Sequence, residues 1–418
     1  MTSFLHHALA VMLTAALTTG TAHAGRLGVF TSDSNGFDTH TFYYDDGQEV
    51  TLIDTQFVPA LTQAMVEQVR RETQSPITRV IVTHPNPDKF NGLAYLHSLG
   101  VASISSRAAA AAMPDVHAYK KYYFVNIAKM FTEENYPKFE NVKATFSGQT
   151  KIHLKSGETL SLFELKNPGV TSTQVVVRID KTGDLIVGDL VHHKAHVWLE
   201  GAIVNGKPHA DLAQWAAAVA ELPALAKGKP NAKVYGGRGE FVPVAQAVQA
   251  QRAYLLRVNA IVDDYLAQLG ARRSELDDPA TAQPHYQALE KRLVRAFPDY
   301  ALPYMIKYSI YGLVGTKLQS GELADLPEGL IPARLPTGEL VGYRLSVDAH
   351  VAGLEHLGLQ PGDIIIAVHG LPLVRLENRS FALERLRQDE FASVTYVRHH
   401  DTLVNVTRMP EGTLNGME

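Results

Sequence analysis

Residues 82–93 read VTHPNPDKFNGL and continue the apolar run ITRVIV. The apolar run predicts a buried strand, and the Asn- and Pro-containing stretch after it predicts a tight loop. This loop carries four polar residues in close succession: His84, Asn86, Asp88 and Lys89. A histidine and an aspartate are ordinary metal ligands, whereas a lysine ammonium offers no lone pair to a cation. The stretch therefore predicts either a metal site with altered ligands or the remnant of one.

Composition indicates a folded protein of more than one domain. The chain has 418 residues, of which 45% are hydrophobic and 20% are charged, an ordinary globular balance. The net charge of -4 arises from 39 basic and 43 acidic residues. No basic block of the kind that binds a phosphate backbone is present, so we expect no nucleic-acid partner.

The first 24 residues are predicted to be a signal peptide. Residues 8–17 are apolar but too few to span a bilayer as a helix, and residues 22–24 read AHA, a small-residue cleavage pattern. An uncleaved anchor is the alternative, because the start of the segment lacks Lys and Arg. The chain has no cysteine, so neither a disulfide nor a Cys-linked lipid is expected. We predict a periplasmic or secreted protein without stable membrane insertion.

The pattern of the remaining chain predicts four segments. Strand and helix signals alternate over residues 25–241, and helical spacing dominates residues 242–318. Residues 319–334 have a Pro-rich composition typical of a linker, and residues 335–410 are predicted to form a small separate domain. The aromatic stretch HAYKKYYFVNIAKMF, residues 117–131, is predicted to pack in the core, with a substrate groove as the alternative.

The region from VTLIDT to VYGGRGE resembles the metallo-β-lactamase superfamily. The resemblance rests on the THPNPDK loop after a strand, the turn NPGVTSTQVVV, the strand end IVGDLV and the late YGGRGE. It implies an α/β fold with a four-layer αββα sandwich, extended here by helices and a β-rich C-terminal domain. In the family these four motifs supply the ligands of two metal ions.

Carried over residue by residue, the resemblance leaves an incomplete ligand set. The retained ligand positions are His84, Asp88 and Asp189. The substituted ligand positions are Asn86, Lys89, Val170 and Arg238. One metal ion would thereby keep a single ligand of three, whereas a catalytic zinc normally has three from the protein. The other would keep two carboxylates beside two cations, which repel a divalent ion. Lys89 and Arg238 could instead neutralise Asp88 and Asp189 by salt bridges.

Two alternatives to this interpretation remain open. His84, Asp88, Asp189 and also Asp54 could be architectural residues that satisfy loop N–H groups. A reduced single-metal site is also possible if a nearby histidine joins His84 and Asp88. The candidates for this additional ligand, which would rescue the site, are His192, His193 and His196.

The C-terminal segment resembles a bacterial PDZ domain, including the PDZ component of type II secretion systems. The resemblance rests on VGYRLS, LGLQPGDIIIAV, FALERLRQ and ASVTYVR. It implies a PDZ-like loop and a protein or peptide partner bound by strand addition. The residues of this predicted loop are Gly342, Tyr343, Arg344 and Leu345.

The sequence thus supports two functions. The first is an exported binding or accessory module that holds a small polar ligand near Asp88, with no cofactor expected. The second is a hydrolase of an ester, thioester, lactone or lactam that uses one zinc ion in a reduced site, with Asp88 and His84 as the candidate catalytic residues.

Overall fold

The computed structural model describes most of the chain. The described residues are 25–226, 228–319, 329–335, 339–346, 357–375, 379, 382 and 391–408. The predicted signal peptide, residues 1–24, lies outside them, as do residues 320–328 of the predicted linker.

A first sheet and its helices are built by the chain up to residue 146. Its strands follow the order β1-β2-β3-β4-β5-β6, antiparallel up to β3 and parallel thereafter. The strands are β1 (Arg26–Thr31), β2 (His40–Asp45), β3 (Val50–Ile53), β4 (Ile77–Ile81), β5 (Ala102–Ser106) and β6 (Ala144–Phe146). The helices are α1 (Pro59–Glu72), α2 (Pro87–Phe90), α3 (Leu93–Ser98) and α4 (Arg107–Tyr122), which continues as a π-helical turn over Tyr123–Ile127.

A second sheet follows in the order β14-β13-β10-β9-β8-β7. Its first strands are β7 (Gln149–His153), β8 (Thr159–Glu164), β9 (Val175–Ile179) and β10 (Leu185–His193). A hairpin and a helix come next, β11 (Ala202–Val204), β12 (Lys207–His209) and α5 (Leu212–Leu225). The sheet is completed by β13 (Lys233–Gly239), which runs parallel to β10, and β14 (Val242–Pro243). Because β14 pairs with β13, this domain runs slightly past the predicted boundary at residue 241.

The two sheets pack face to face because side chains along each strand point alternately to the two faces of its sheet, and both faces are apolar. In β2, Phe42 and Tyr44 enter the core between the sheets, whereas Tyr43 enters the core under α1 and α4. In β9, Val177 faces the first sheet and Val176 faces the helices beyond the second. Side chains two residues apart share a face, so both faces of each sheet are covered. The predicted four-layer αββα arrangement is what this packing produces.

The second sheet is covered on one side by α5 and by the first of three further helices, which also pack on one another. These three helices are α6 (Val244–Leu269), α7 (Pro279–Ala296) and α8 (Tyr304–Gln319). Helix α6 ends at Gly270, whose φ of 52° is a conformation that glycine adopts without a Cβ clash. None of the described helices is long and apolar enough to cross a membrane.

The C-terminal region contains an antiparallel sheet of order β15-β16-β17-β19-β20, with β18 paired to β17. Its strands are β15 (Leu330–Arg334), β16 (Leu340–Leu345), β17 (Ile364–Val368), β18 (Leu371–Pro372), β19 (Phe391–Arg398) and β20 (Asp401–Arg408). This β-rich region was expected, but its identity as a PDZ-like domain stays a prediction.

Two sequence predictions differ from the structure in this region. Residues 330–334, assigned to the linker, form the strand β15, because Leu330 and Ile331 are buried and Pro332 is tolerated in an edge strand. The predicted loop at Gly342, Tyr343, Arg344 and Leu345 is instead the interior of β16, paired with β15 on one side and β17 on the other. Tyr343 and Leu345 are buried on either side of the polar Arg344, and this period of two is a strand signal that the loop assignment overlooked.

Candidate functional site

Asp54 holds the loop that follows β4. It lies at the end of β3 with a φ of 69°, a left-handed conformation that aspartate tolerates. Its Oδ1 accepts a hydrogen bond of 2.7 Å from the backbone N–H of Thr83, and its Oδ2 accepts one of 2.8 Å from the Thr83 hydroxyl. Burial raises the pKa of Asp54 to about 6, against the opposing charge of Lys89. These contacts are those of an architectural residue.

His84 is fully buried beside this aspartate. Its Nδ1 lies 3.0 Å from the Thr83 hydroxyl oxygen, which already donates its proton to Asp54. The hydroxyl oxygen therefore accepts from His84 Nδ1–H. His84 Nε2 lies 3.6 Å from Asp189 Oδ2 and makes no hydrogen bond with any described residue. One imidazole nitrogen is thus aimed at the centre of the site.

Four charged side chains meet at this centre, and we call them the charge quartet: Asp88, Lys89, Asp189 and Arg238. Lys89 Nζ lies 2.8 Å from Asp88 Oδ2 and 2.9 Å from Asp189 Oδ1, at ion-pair distances although the angles do not suit hydrogen bonds. Arg238 Nη2 lies 3.1 Å from Asp88 Oδ2, and its Nη1 lies 2.7 Å from Asp189 Oδ1. Each carboxylate therefore contacts both cations.

The quartet stays charged despite its burial. The side chains of Lys89, Asp189, Arg238 and Asp88 are 0%, 2%, 4% and 10% exposed. Burial opposes the ionisation of Asp88, but Lys89 and Arg238 outweigh it, so the pKa of Asp88 lies below its usual range. Burial likewise opposes the ionisation of Asp189, but the charges of Arg238 and Lys89 outweigh it and hold the pKa of Asp189 well below its usual range. The two carboxylates in turn raise the pKa of Lys89 against the effect of burial.

Local backbone structure explains why these residues meet. Asp88 and Lys89 are neighbours in the short helix α2, and Arg238 in β13 lies opposite His192 in β10. A Cβ on Gly237 would lie 1.9 Å from Asp189 Oδ1. Glycine at position 237 is therefore required for the close approach of β13 to this carboxylate.

Two residues that the sequence did not single out complete the quartet's hydrogen bonds. Thr39 donates to Asp88 Oδ2 at 3.0 Å and accepts from Arg238 Nη2 at 2.6 Å. Arg238 Nε also donates to the backbone oxygen of Phe37 at 2.8 Å. A threonine and a carbonyl in an irregular segment carry no motif, so no sequence signal pointed to them.

Of the three histidines proposed as rescue ligands, the structure brings one to the site. His192 Nε2 lies 3.3 Å from Asp189 Oδ1 without hydrogen-bond geometry, and its Nδ1 donates to the His196 carbonyl at 3.0 Å. His193 lies instead 3.8 Å from Glu240. His196 lies 2.9 Å from the Tyr254 hydroxyl, and burial lowers its pKa to about 4.

The two remaining substituted positions have different surroundings. Asn86 precedes α2, makes no capping hydrogen bond with its side chain, and lines a cleft beside the quartet. Val170 is 1% exposed and belongs to the apolar core between the second sheet and the helices.

The cleft is partly open to solvent, and the space inside it and at its mouth amounts to about 350 Å³. Asp88, Asp189 and Arg238 form its charged floor. Its walls are mainly aromatic and apolar: Phe37, Phe57, Phe124, Trp198, Met305 and Pro87. Met305 comes from α8, so the helical extension contributes to the site. Phe124 comes from the aromatic stretch 117–131, as does Lys120, which also lines the cleft.

A second buried ion pair lies at the wall of this cleft. Lys120 contacts Glu200, and its Nζ lies 4.5 Å from the centre of the Trp198 ring. Glu200 also accepts from Trp198 Nε1 at 3.1 Å and from the Tyr311 hydroxyl. Both oxygens of Glu200 therefore have a donor, and Lys120 is held against the aromatic wall.

The donor set does not fit a catalytic zinc ion. Zinc needs three protein ligands with free lone pairs, yet Asp88 Oδ2 and Asp189 Oδ1 each face two cations. A dication placed among these atoms would meet the ammonium and the guanidinium at contact distance. Within the part of the chain that the structure describes, no three His, Asp or Glu side chains are arranged to hold a metal.

Comparison with known proteins identifies the domain that carries this site. Residues 35–238 match the sequence model of the metallo-beta-lactamase superfamily. The chain is similar to the metallo-beta-lactamase from Pontibacter korlensis at 18% identity and a TM-score of 0.41, over 57% of this chain and 97% of that one. It is similar to the metallo-beta-lactamase FIM-1 from Pseudomonas aeruginosa in the mono-zinc form at 17% identity and a TM-score of 0.40, over 56% of this chain and 92% of that one. The earlier resemblance is confirmed for this region: residues 35–238 form a metallo-beta-lactamase superfamily domain.

Proposed function

We propose that this protein is an exported binding or accessory module built on a metallo-beta-lactamase domain, and that it does not work as a standard zinc hydrolase. The observation that carries the proposal is the charge quartet. Lys89 and Arg238 contact both carboxylates at 2.7–3.1 Å. The quartet has no net charge, so its two carboxylates are neutralised by its two cations without a metal ion.

The quartet closes the loops that a metal ion would otherwise hold together. It joins α2, β10 and β13, and through Arg238 it also fixes the segment at Phe37. Charge-assisted hydrogen bonds and ion pairs in a buried site can replace coordination in this structural role. The cleft above the quartet then serves as a binding pocket for a small ligand.

The C-terminal sheet is proposed to engage a protein segment. Strand addition needs an unpaired sheet edge. Strand β15 lies against α6, and its Arg334 lies 3.8 Å from Asp263. Strand β20 carries Leu403 and Val404 exposed, at 38% and 65%, and is the edge that this proposal assigns to a partner.

A hydrolase with a reduced single-metal site is the second candidate. It is favoured by the Nε2 atoms of His84 and His192, which lie 3.6 Å and 3.3 Å from the oxygens of Asp189. Both nitrogens lack a hydrogen bond to any described residue. Binding a metal there would require Lys89 and Arg238 to leave Asp189, because both cations contact its Oδ1.

Elemental analysis of the untagged full-length protein tests this choice. The protein is dialysed against zinc at equimolar concentration, and the bound zinc per chain is measured. The binding-module proposal expects a ratio near zero, because the carboxylates are already neutralised. A ratio near one that is lost in both His84→Ala and His192→Ala, but kept in the control His193→Ala, would replace it with the single-metal hydrolase.

A further inference from the structure

The charged groups that line the cleft are compensated inside the protein. Arg238 contacts Asp88 and Asp189, and Lys120 contacts Glu200. A charged ligand that enters the cleft would lose its hydration shell without gaining a counter-ion that is not already paired. The electrostatics of the cleft therefore favour an uncharged ligand.

The aromatic wall of the cleft is built from rings in mutual contact. The ring centres of Phe37 and Phe57 are 5.0 Å apart, as are those of Phe57 and Phe124. The ring centre of Trp198 lies 5.9 Å from that of Phe37. Such a wall offers edges and faces to another ring, and this contact adds to the gain from burying apolar area. The shape and chemistry of the wall favour a ring-bearing ligand.

The floor offers a hydrogen-bond acceptor. Lys89, Thr39 and Arg238 all contact Asp88 through its Oδ2, at 2.8, 3.0 and 3.1 Å. Among the residues that the structure describes, none bonds to Oδ1 of this carboxylate, so this oxygen is left for a donor in the cleft. Asp88 is also the most exposed member of the quartet. A donor on the ligand would thus gain a charge-assisted hydrogen bond.

We propose that the cleft binds an uncharged molecule that carries an aromatic ring and one N–H or O–H donor. The ring packs against Phe37, Phe57 and Phe124, and the donor bonds to Asp88 Oδ1. This inference rests on the proposed function, since a metal ion in the quartet would add charge to the floor and take this oxygen.

Four fluorinated indoles with one common ring system test the inference by 19F NMR on the full-length protein. They are 5-fluoroindole, 5-fluoro-1-methylindole, 5-fluoroindole-3-acetate and 5-fluorotryptamine. We expect 5-fluoroindole to bind at least about tenfold more tightly than the anion and the cation, because each charged group must be desolvated without a free counter-ion. The methylated compound, which lacks the donor, should bind about fivefold more weakly than 5-fluoroindole.

Protein variants place the binding in the cleft. Asn86→Phe should fill the cleft and Phe124→Ala should remove part of its wall, so each should weaken 5-fluoroindole by about tenfold or more. The control Val404→Ser changes an exposed residue of β20 and should have no effect. If Phe124→Ala does not fold, Asn86→Phe decides the matter.

Three results would overturn the inference: equal or tighter binding of a charged indole, no binding of any of the four compounds, or binding that both cleft variants leave unchanged. None of these results would bear on the zinc content of the protein. A failure of this inference is therefore distinguishable from a failure of the proposed function.

Discussion

Replacing Lys89 by methionine should destabilise the metallo-beta-lactamase domain by roughly 3 to 5 kcal/mol. The ammonium of Lys89 is 0% exposed and lies 2.8 and 2.9 Å from the two carboxylates. Removing it leaves Asp88 and Asp189 to share Arg238, and loss of one member of a buried ion pair typically costs about this much. Methionine retains most of the aliphatic volume, so a cavity adds little to the cost.

Urea unfolding followed by tryptophan fluorescence measures this loss in the relevant domain. The chain has two tryptophans, Trp198 and Trp215, and both lie within residues 35–238. The double variant Lys89→Met/Asp88→Asn removes one charge of each sign and should recover more than half of the lost free energy of unfolding. The control Lys143→Met removes a lysine that is 64% exposed and 3.7 Å from Glu140, and such a surface pair contributes at most about 1 kcal/mol.

The free energy of unfolding that Lys89→Met loses should also depend on pH in a defined direction. The pKa values of Asp88 and Asp189 lie below their usual range in the folded protein. Their contribution to stability is therefore present above the unfolded pKa of about 4 and is lost as the pH falls through the folded values. Lys89→Met should raise both folded pKa values, so the difference from the parent should narrow below about pH 4. A cost under about 1 kcal/mol at pH 7, or a difference independent of pH, would refute this reasoning.

Three further predictions concern other parts of the chain. The pKa of Asp54 is raised to about 6, so its contribution to the free energy of unfolding should fall as the pH rises from about 4 to about 7. Urea titrations across this range should show this fall for the parent and no such fall for Asp54→Asn. Parallel curves for the two proteins would argue against a raised pKa at Asp54. A fragment of residues 329–410 should give a folded circular dichroism spectrum. A shorter fragment of residues 335–410 lacks β15, which pairs with β16, and should unfold at lower urea concentration. Equal stability of the two fragments would show that β15 is dispensable. N-terminal sequencing of the soluble periplasmic fraction should return Gly25 first, and Met1 from a membrane pellet would contradict export by a cleaved signal.

Periodicity and motif spacing predicted the framework because they report on local structure and burial. The apolar run before His84 became β4, and the segment after it ends in the short helix α2, which carries Asp88 and Lys89 into the site. The charge pairing of Lys89 and Arg238 with two aspartates followed from the chemistry of the substituted positions. A residue type at a motif position is enough to predict which charges meet, although not their distances.

Residues without a motif could not be placed from the sequence. Lys120 and Phe124 line the cleft, but they lie in an aromatic stretch whose spacing is equally typical of core packing. Tyr123 of the same stretch does pack inside the protein, where it stacks on Tyr311. Met305 reaches the cleft from a helix more than 100 residues beyond Asp189, a contact that only tertiary packing decides. The linker assignment overvalued proline composition, because burial of Leu330 and pairing with β16 outweigh it.

The response of thermal unfolding to zinc tests the central claim most directly. The comparison is between the untagged parent and a variant with four ligand positions restored: Asn86→His, Lys89→His, Val170→His and Arg238→His. Zinc should raise the melting temperature of this variant, since metal that binds only the folded state stabilises it. The account predicts that zinc leaves the parent's melting temperature unchanged. A parent that zinc stabilises, with the response lost in His84→Ala, would contradict it.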